Sequence, residues 1–171
     1  EVVGEPCVGG VIERSRRDRR GEALAELLGD RVEFDDGGDG VVCHPPAEPA
    51  ALRNFYAAAD VLVVPSVPTP TFREPWGLVC NEAMHQGLPI IATDAVGAAA
   101  GGLVRHERNG LVVDAGDDAA LAAAMRRLHE EPVLRRRMGA HGRRDAAAFS
   151  FDAWADGMAT ALQTTRPRRR S

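Results

Sequence analysis

At 171 residues, with 44% hydrophobic and 27% charged positions, the chain has the size and composition of one globular domain with its own core. A formal net charge of −4 argues against a general nucleic-acid binder. All 21 basic residues are arginine, which excludes every chemistry that needs a lysine as nucleophile, Schiff base or phosphate ligand.

Short apolar runs alternate with helical patterns through most of the chain, the pattern of βα units around a parallel sheet, so the expected fold class is α/β, Rossmann-like and doubly wound. The first expected strand is Glu1 to Gly4. Gly9 and Gly10 follow it where a phosphate loop could lie, but the full dinucleotide fingerprint is absent and a plain turn is the simpler reading. Gly21 to Leu28 reads as a helix, Arg31 to Phe34 as a strand, and the Gly/Asp-rich stretch Asp35 to Gly40 as a flexible connection. A short strand is placed at Val41 to His44. A helix over Pro49 to Ala59 would gather Leu52, Phe55, Tyr56 and Ala59 on one face.

Strands at Val61 to Pro65, Leu88 to Thr93 and Leu111 to Val113 follow. Asp117 is a good N-cap for a helix carrying Leu121, Met125 and Leu128 and ending near Pro132, and a further helix runs to about Ala147. Ser150 would cap a last helix with Phe151, Trp154, Met158 and Leu162. Residues 166–171 form a basic tail expected to be disordered and solvated.

Cys7, Cys43 and Cys80 have no CxxC spacing and leave one unpaired in any disulfide scheme, which fits a reducing, cytoplasmic compartment and offers no zinc site. The five histidines, His44, His85, His106, His129 and His141, show no metal-ligand spacing. No metal and no cofactor are therefore expected. No apolar run approaches the roughly 18 residues of a spanning helix, so any membrane contact would be peripheral.

The stretch Phe72 to Gly87, FREPWGLVCNEAMHQG, carries the chemistry. Pro75 biases Glu74 away from the helical region and suits a first helical turn, so a helix should begin near Pro75 or Gly77 with Glu74 in the loop before it. Leu78, Val79, Ala83 and Met84 recur at helical spacing, and Glu82 falls beside that apolar stripe. A carboxylate bordering a core wants a partner, and vicinal hydroxyls of a sugar would occupy both its oxygens. Between the two acids, the N–H groups of Trp76, Gly77, Leu78 and Val79 would point from the helix start, where phosphate oxygens are favoured. Phosphate flanked by hydroxyls describes a nucleotide sugar. The competing structural reading has Glu74 capping the helix and Glu82 in a surface salt bridge.

The runs ADVLVVPS (Ala59 to Ser66), EPWGLVCNEAM (Glu74 to Met84), GLPIIAT (Gly87 to Thr93) and NGLVVDAGD (Asn109 to Asp117) closely resemble the donor-binding half of retaining GT-B glycosyltransferases, also called glycosyltransferase group 1 or family 4. Two glutamates separated by seven residues are that family's signature. The resemblance implies that residues 1–165 form the C-terminal, donor-binding domain of a GT-B fold, with the first strand and its diphosphate-binding arginine and lysine lying upstream of Glu1. It implies a hexosyltransferase that uses a nucleotide diphosphate sugar, UDP-sugar among the candidates, without a metal. Glu82 would accept hydrogen bonds from the ribose hydroxyls, and Glu74 would contact the transferred sugar near the reacting centre. The amides of Trp76, Gly77, Leu78 and Val79 would receive sugar hydroxyls or diphosphate oxygens.

The implied partner is an N-terminal acceptor domain, onto which the last helix, Phe151 to Leu162, would cross back with its aromatic face exposed in isolation. This chain alone would then be inactive. His44, with Pro45, would stand on the side of the sheet where the family holds the base. One departure touches the loop Gly97 to Gly102: three alanines follow Gly97, and Gly102 stands where relatives place an acid before Leu103 and Val104. That departure supports an alternative, a non-catalytic nucleotide-sugar binding or regulatory module of the same fold. The same loop reads equally well as a tight turn into a short helix. The proline-rich segment Val67 to Arg73 would form a semi-rigid loop at the mouth of the site. Other doubly wound enzymes fit less well: a pyridoxal-dependent phosphorylase needs a lysine, and no epimerase-type histidine and acid set is present.

Overall fold

The computed structural model describes residues 11–13 and 48–164. The strands expected at Glu1 to Gly4, Arg31 to Phe34 and Val41 to His44, the helix at Gly21 to Leu28, the turn at Gly9 and Gly10, the Asp35 to Gly40 connection, His44 and the 166–171 tail lie outside the described residues.

The sheet is built on three parallel strands that neighbour one another in chain order: β2 (Val61–Val64), β3 (Ile90–Thr93) and β4 (Gly110–Val113). Leu62 faces Ile90, Val64 faces Ala92, and Ile91 faces Leu111 across the ladders. A further edge strand, β1 (Val11–Glu13), runs antiparallel to β2 with Ile12 opposite Leu62. The sequence reading placed no strand there; a three-residue edge paired through its main chain leaves little pattern, and antiparallel edges on otherwise parallel sheets are common.

Every residue of β2 and β3 is buried, because the sheet is covered on both faces. On one face Leu62, Val64, Ile90 and Ala92 meet Tyr56 and Ala59, then Cys80, Ala83 and Met84, then Val96 and Ala98. These come from α1 (Pro49–Ala58), α2 (Leu78–His85) and α3 (Gly97–Ala100) with their flanks. On the other face Val61, Val63, Ile91 and Leu111 meet Ala124 and Leu128 of α4 (Asp118–Glu130) and Leu134 and Met138 of α5 (Pro132–Ala146). The side-chain alternation of strands thus sorts one continuous apolar run into two cores.

Local signals set the element ends. Asp117 accepts from the Ala120 amide at 2.8 Å at the start of α4, and Ser150 Oγ accepts from the Ala153 amide at 3.1 Å at the start of α6 (Phe151–Thr164). The strand expected from Leu88 begins two residues later, since the Leu88 amide closes α2 by donating to the Ala83 carbonyl at 3.0 Å and Pro89 has no amide to give.

One correction concerns which face of α2 is buried. Cys80, Ala83 and Met84 face the sheet at i, i+3, i+4 spacing, so Leu78 and Glu82 share the outward face and Leu78 is 70% exposed. Leu78 is therefore not part of the apolar stripe. Helix α6 buries none of its residues: Phe151, Trp154, Met158 and Leu162 are exposed. No described helix is long and apolar enough to cross a membrane.

A buried polar cluster joins α5 to the sheet. Asn109, fully buried, accepts from the Arg105 amide at 2.7 Å and donates to the Leu103 carbonyl and to Asp145, both at 2.9 Å. Arg108 grips the same Asp145 carboxylate through two bonds of 2.8 Å.

Candidate functional site

Ligands of open α/β sheets bind beyond the carboxyl ends of the parallel strands. Here those ends are tied together: Thr93 Oγ1 donates to the Ser66 carbonyl at 2.5 Å, and Asp94 accepts from the Ala115 amide at 2.9 Å. From β2 the chain passes through an exposed turn in which Thr69 and Phe72 exchange hydrogen bonds, and then enters α2.

The segment 74–77 is stitched to the first turn of α3. The Gly97 amide donates to the Glu74 carbonyl at 3.2 Å and the Ala98 amide to the Trp76 carbonyl at 2.7 Å. The two stretches approach so closely that a Cβ on Gly97 would stand 1.9 Å from the Pro75 oxygen. The close approach at Gly97 is to the chain's own Pro75 and Trp76. The turn into a short helix of the alternative reading is what forms, with α3 at Gly97–Ala100. It closes in a Schellman motif, with Leu103 N–H on the Ala98 carbonyl at 3.0 Å and Gly102, at φ 78°, on Ala99 at 3.2 Å.

Gly77, at φ 83° and ψ 68°, is the N-cap of α2. The first bond into the helix is donated by Cys80 to the Gly77 carbonyl at 2.9 Å. Among the described residues, nothing accepts from the amides of Trp76, Gly77, Leu78 or Val79. Four main-chain donors are thus left at one helix start, each costly to bury without a partner.

Glu74 precedes these donors in the chain, and Glu82 follows them on α2. Glu74 is half-buried, and its carboxylate has no hydrogen-bond partner or ion pair among the described residues, so it does not cap α2. Burial first, and the Glu74 charge second, push the Cys80 thiol up to about 12, which makes Cys80 an inert core residue. Glu82 is exposed and makes no salt bridge among the described residues; its Oε2 accepts from the Tyr56 hydroxyl at 2.8 Å. Among the described residues neither the cap nor the salt bridge of the competing reading is found. Tyr56 was placed on the buried face of α1 from spacing, but its bond to Glu82 joins residues 26 apart and left no sequence signal.

Trp76 is fixed on three sides. Its Nε1 donates to Asn81 at 2.8 Å, its ring lies 5.7 Å from that of Phe149, and a Cβ on Gly101 would come within 2.6 Å of it. The indole is thereby part of the wall that holds the amides in place. A separate small cleft lined by Ala57, Asp60, Pro89 and Arg135 lies at the opposite, amino ends of β2 and β3. Among the described residues no group of three or more His, Cys, Asp or Glu could hold a metal ion. His106 Nδ1 accepts from the Val112 amide, and His85 lies exposed on α2.

Sheet order, two-sided helix cover and a polar edge at the carboxyl ends of parallel strands together define a Rossmann-like α/β domain. The chain belongs to the glycosyl transferases group 1 family, whose profile matches residues 11–131. It is 36% identical over 159 residues to a D-inositol 3-phosphate glycosyltransferase of Thermomonospora curvata, covering 91% of this chain and 32% of that protein. The chain spans about a third of the length of the curated relatives it matches.

Among solved structures it resembles sucrose-phosphate synthase from Thermosynechococcus elongatus, with a TM-score of 0.64 and 34% identity over 85% of this chain and 33% of that one. It also resembles Anabaena HepE in complex with UDP, at TM-score 0.54 and 28% identity over 67% and 30%. The C-terminal domain of a Francisella tularensis group 1 glycosyl transferase shares the fold, at TM-score 0.56 and 23% identity over 77% of this chain and 64% of that one. The fold is that of the C-terminal domain of GT-B enzymes.

Proposed function

We propose that this chain is the donor-binding part of a retaining glycosyltransferase that moves a sugar from a nucleotide diphosphate sugar to an acceptor hydroxyl. The observation that carries the reading is the set of four amides without a partner among the described residues, at Trp76, Gly77, Leu78 and Val79, which lie in the chain between Glu74 and Glu82. The amides receive diphosphate or sugar oxygens, and the helix start stabilises the charge that builds on the leaving diphosphate. Glu82 takes the ribose hydroxyls with the oxygen that Tyr56 leaves free, and Glu74, which has no partner of its own, contacts the transferred sugar near the reacting centre. As the bond from the anomeric carbon to the diphosphate breaks, its electron pair leaves with the diphosphate. The acceptor oxygen bonds on the same face and gives up its proton to the departing group.

The likeness to a UDP complex makes uridine diphosphate the first nucleotide to test. Residues 1–165 are the donor domain in this reading and 166–171 a basic tail. The acceptor domain belongs to a longer protein, seats against the exposed face of α6, and is needed for turnover, so the isolated chain binds donor without transferring it. A cytoplasmic setting is part of the same proposal. The alternative, a binding or regulatory module that does not transfer, is favoured by one feature: Gly102 offers no carboxylate where the family places an acid.

Ligand-observed NMR of the chain with UDP, GDP, ADP and their glucose and mannose conjugates tests the donor site, with Glu82→Gln as the control. Selective binding of one nucleotide, lost in Glu82→Gln, is the expected result. No binding of any of them at millimolar concentration would sink the reading. An assay of the longer protein against the chain alone separates transferase from binding module.

A further inference from the structure

We infer that Tyr56 is a positioning residue of the donor site, holding one oxygen of Glu82 so that the other is presented to a ribose diol. The inference rests on the donor-site reading above and goes beyond it by assigning a residue 26 positions upstream on a different helix. Glu82 lies on the exposed face of α2, where a glutamate on its own would sample many rotamers and lose that freedom when a ligand froze it. Tyr56 is its opposite. It is 5% exposed, sits in the same core cluster as Cys80 and Ala83, and reaches the rim only with its hydroxyl.

The 2.8 Å bond from that hydroxyl to Oε2 therefore ties a mobile acid to a rigid ring. Burial first, and then the bond to Glu82, push the tyrosine pKa upward, so the hydroxyl stays a donor across the physiological range. A carboxylate can accept at about four lone-pair positions. One is committed to Tyr56, and no described residue donates to Oε1. A structural role alone, a buried phenol finding a partner at the core edge, would account for the bond as well. The two roles part company in ligand selectivity.

The experiment uses the 171-residue chain as wild type, Tyr56→Phe, Glu82→Gln and the double variant, titrated with UDP and with 2′-deoxy-UDP, alongside a thermal melt of each. Tyr56→Phe keeps the ring and hence the packing. The expected result is an affinity for UDP lowered about tenfold, a preference for UDP over 2′-deoxy-UDP that falls toward unity, and no further loss from Tyr56→Phe in the Glu82→Gln background. An unchanged ribose preference in Tyr56→Phe, or losses that simply add in the double variant, would overturn the positioning role. UDP binding that depends on Glu82 but is indifferent to Tyr56→Phe overturns this inference and leaves the donor site standing. Where GDP or ADP is the nucleotide that binds, it and its 2′-deoxy form take the place of the uridine pair, and no binding of UDP, GDP or ADP by the wild type removes both.

Discussion

Helices α2 and α6 carry equally plain apolar patterns, and their fates differ. In α2 the residues Cys80, Ala83 and Met84 are wholly buried against the sheet, which frees the opposite face to carry Glu82 and Leu78 outward. In α6 the corresponding stripe, Phe151, Trp154, Met158 and Leu162, stays 45% to 93% exposed. An apolar period thus declares that a face wants cover, not that this chain supplies it. The lesson for function is that a helix can display a ligand-facing side only when its other side is anchored.

The largest effect expected from that contrast is at Met84. Truncation by Met84→Ala removes a fully buried side chain that packs between α2 and the sheet, and should cost about 2–5 kcal/mol in a denaturant titration. A loss below about 1 kcal/mol would mean that α2 is held by its stitching to α3 rather than by its core face. A binding effect comes next. Glu82→Gln removes the charge from the exposed face, and an interaction between a charged acceptor and hydroxyl donors is worth about 1.5–3 kcal/mol, a tenfold or greater loss of nucleotide affinity, with little change in melting temperature. Equal losses in stability and binding would show that Glu82 supports the fold.

The contrast also explains what could be read in advance. The strands β2, β3 and β4, and the helices α1, α4, α5 and α6, follow from patterns within a few residues: continuous apolar runs, Asp117 and Ser150 as caps, Pro132 at a helix start. The start of α2 was legible for the same reason, since Pro75 and Gly77 act locally. Which way α2 faces was not. Leu78 looks like a core residue until it is known that the sheet takes Cys80, Ala83 and Met84, with the half-buried Val79 packed beside them. Contacts across long separations also left no mark: Tyr56 to Glu82 spans 26 residues and Asn109 to Asp145 spans 36. The close approach of Pro75 to Gly97, 22 residues apart, left no mark either.

Asp145 marks where the packed region ends, just before Phe149 and the exposed α6. Two hydrogen bonds from Arg108 are the main cause that holds its carboxyl below the usual range, with help from the Asn109 side chain and against a cost of burial. A folded pKa lower than the unfolded value of about 3.9 means stability that is fully present above pH 4–5 and is lost as pH falls through the folded value. Asp145→Asn should therefore cost about 1–3 kcal/mol at pH 7, and its stability should fall less steeply than that of wild type below about pH 4. Parallel acid-denaturation curves for the two proteins would show that the clip does not stabilise α5.

The smallest effect is expected at Trp154, and its smallness is the test. An exposed side chain has little apolar area to lose from a packed state, and alanine is the better helix former, so Trp154→Ala should change stability by no more than about 0.5 kcal/mol in either direction. A helix of 14 residues that buries none of its side chains is marginal in water, so α6 should also give up its helical signal at lower temperature than the rest of the chain. If Trp154→Ala instead costs as much as Met84→Ala, the stripe on α6 is covered in solution, and the two helices are alike after all. In that case the face between them and Phe149 would be closed, and Trp76, which rests on Phe149, would be held from the far side by a docked α6 rather than by the chain end alone.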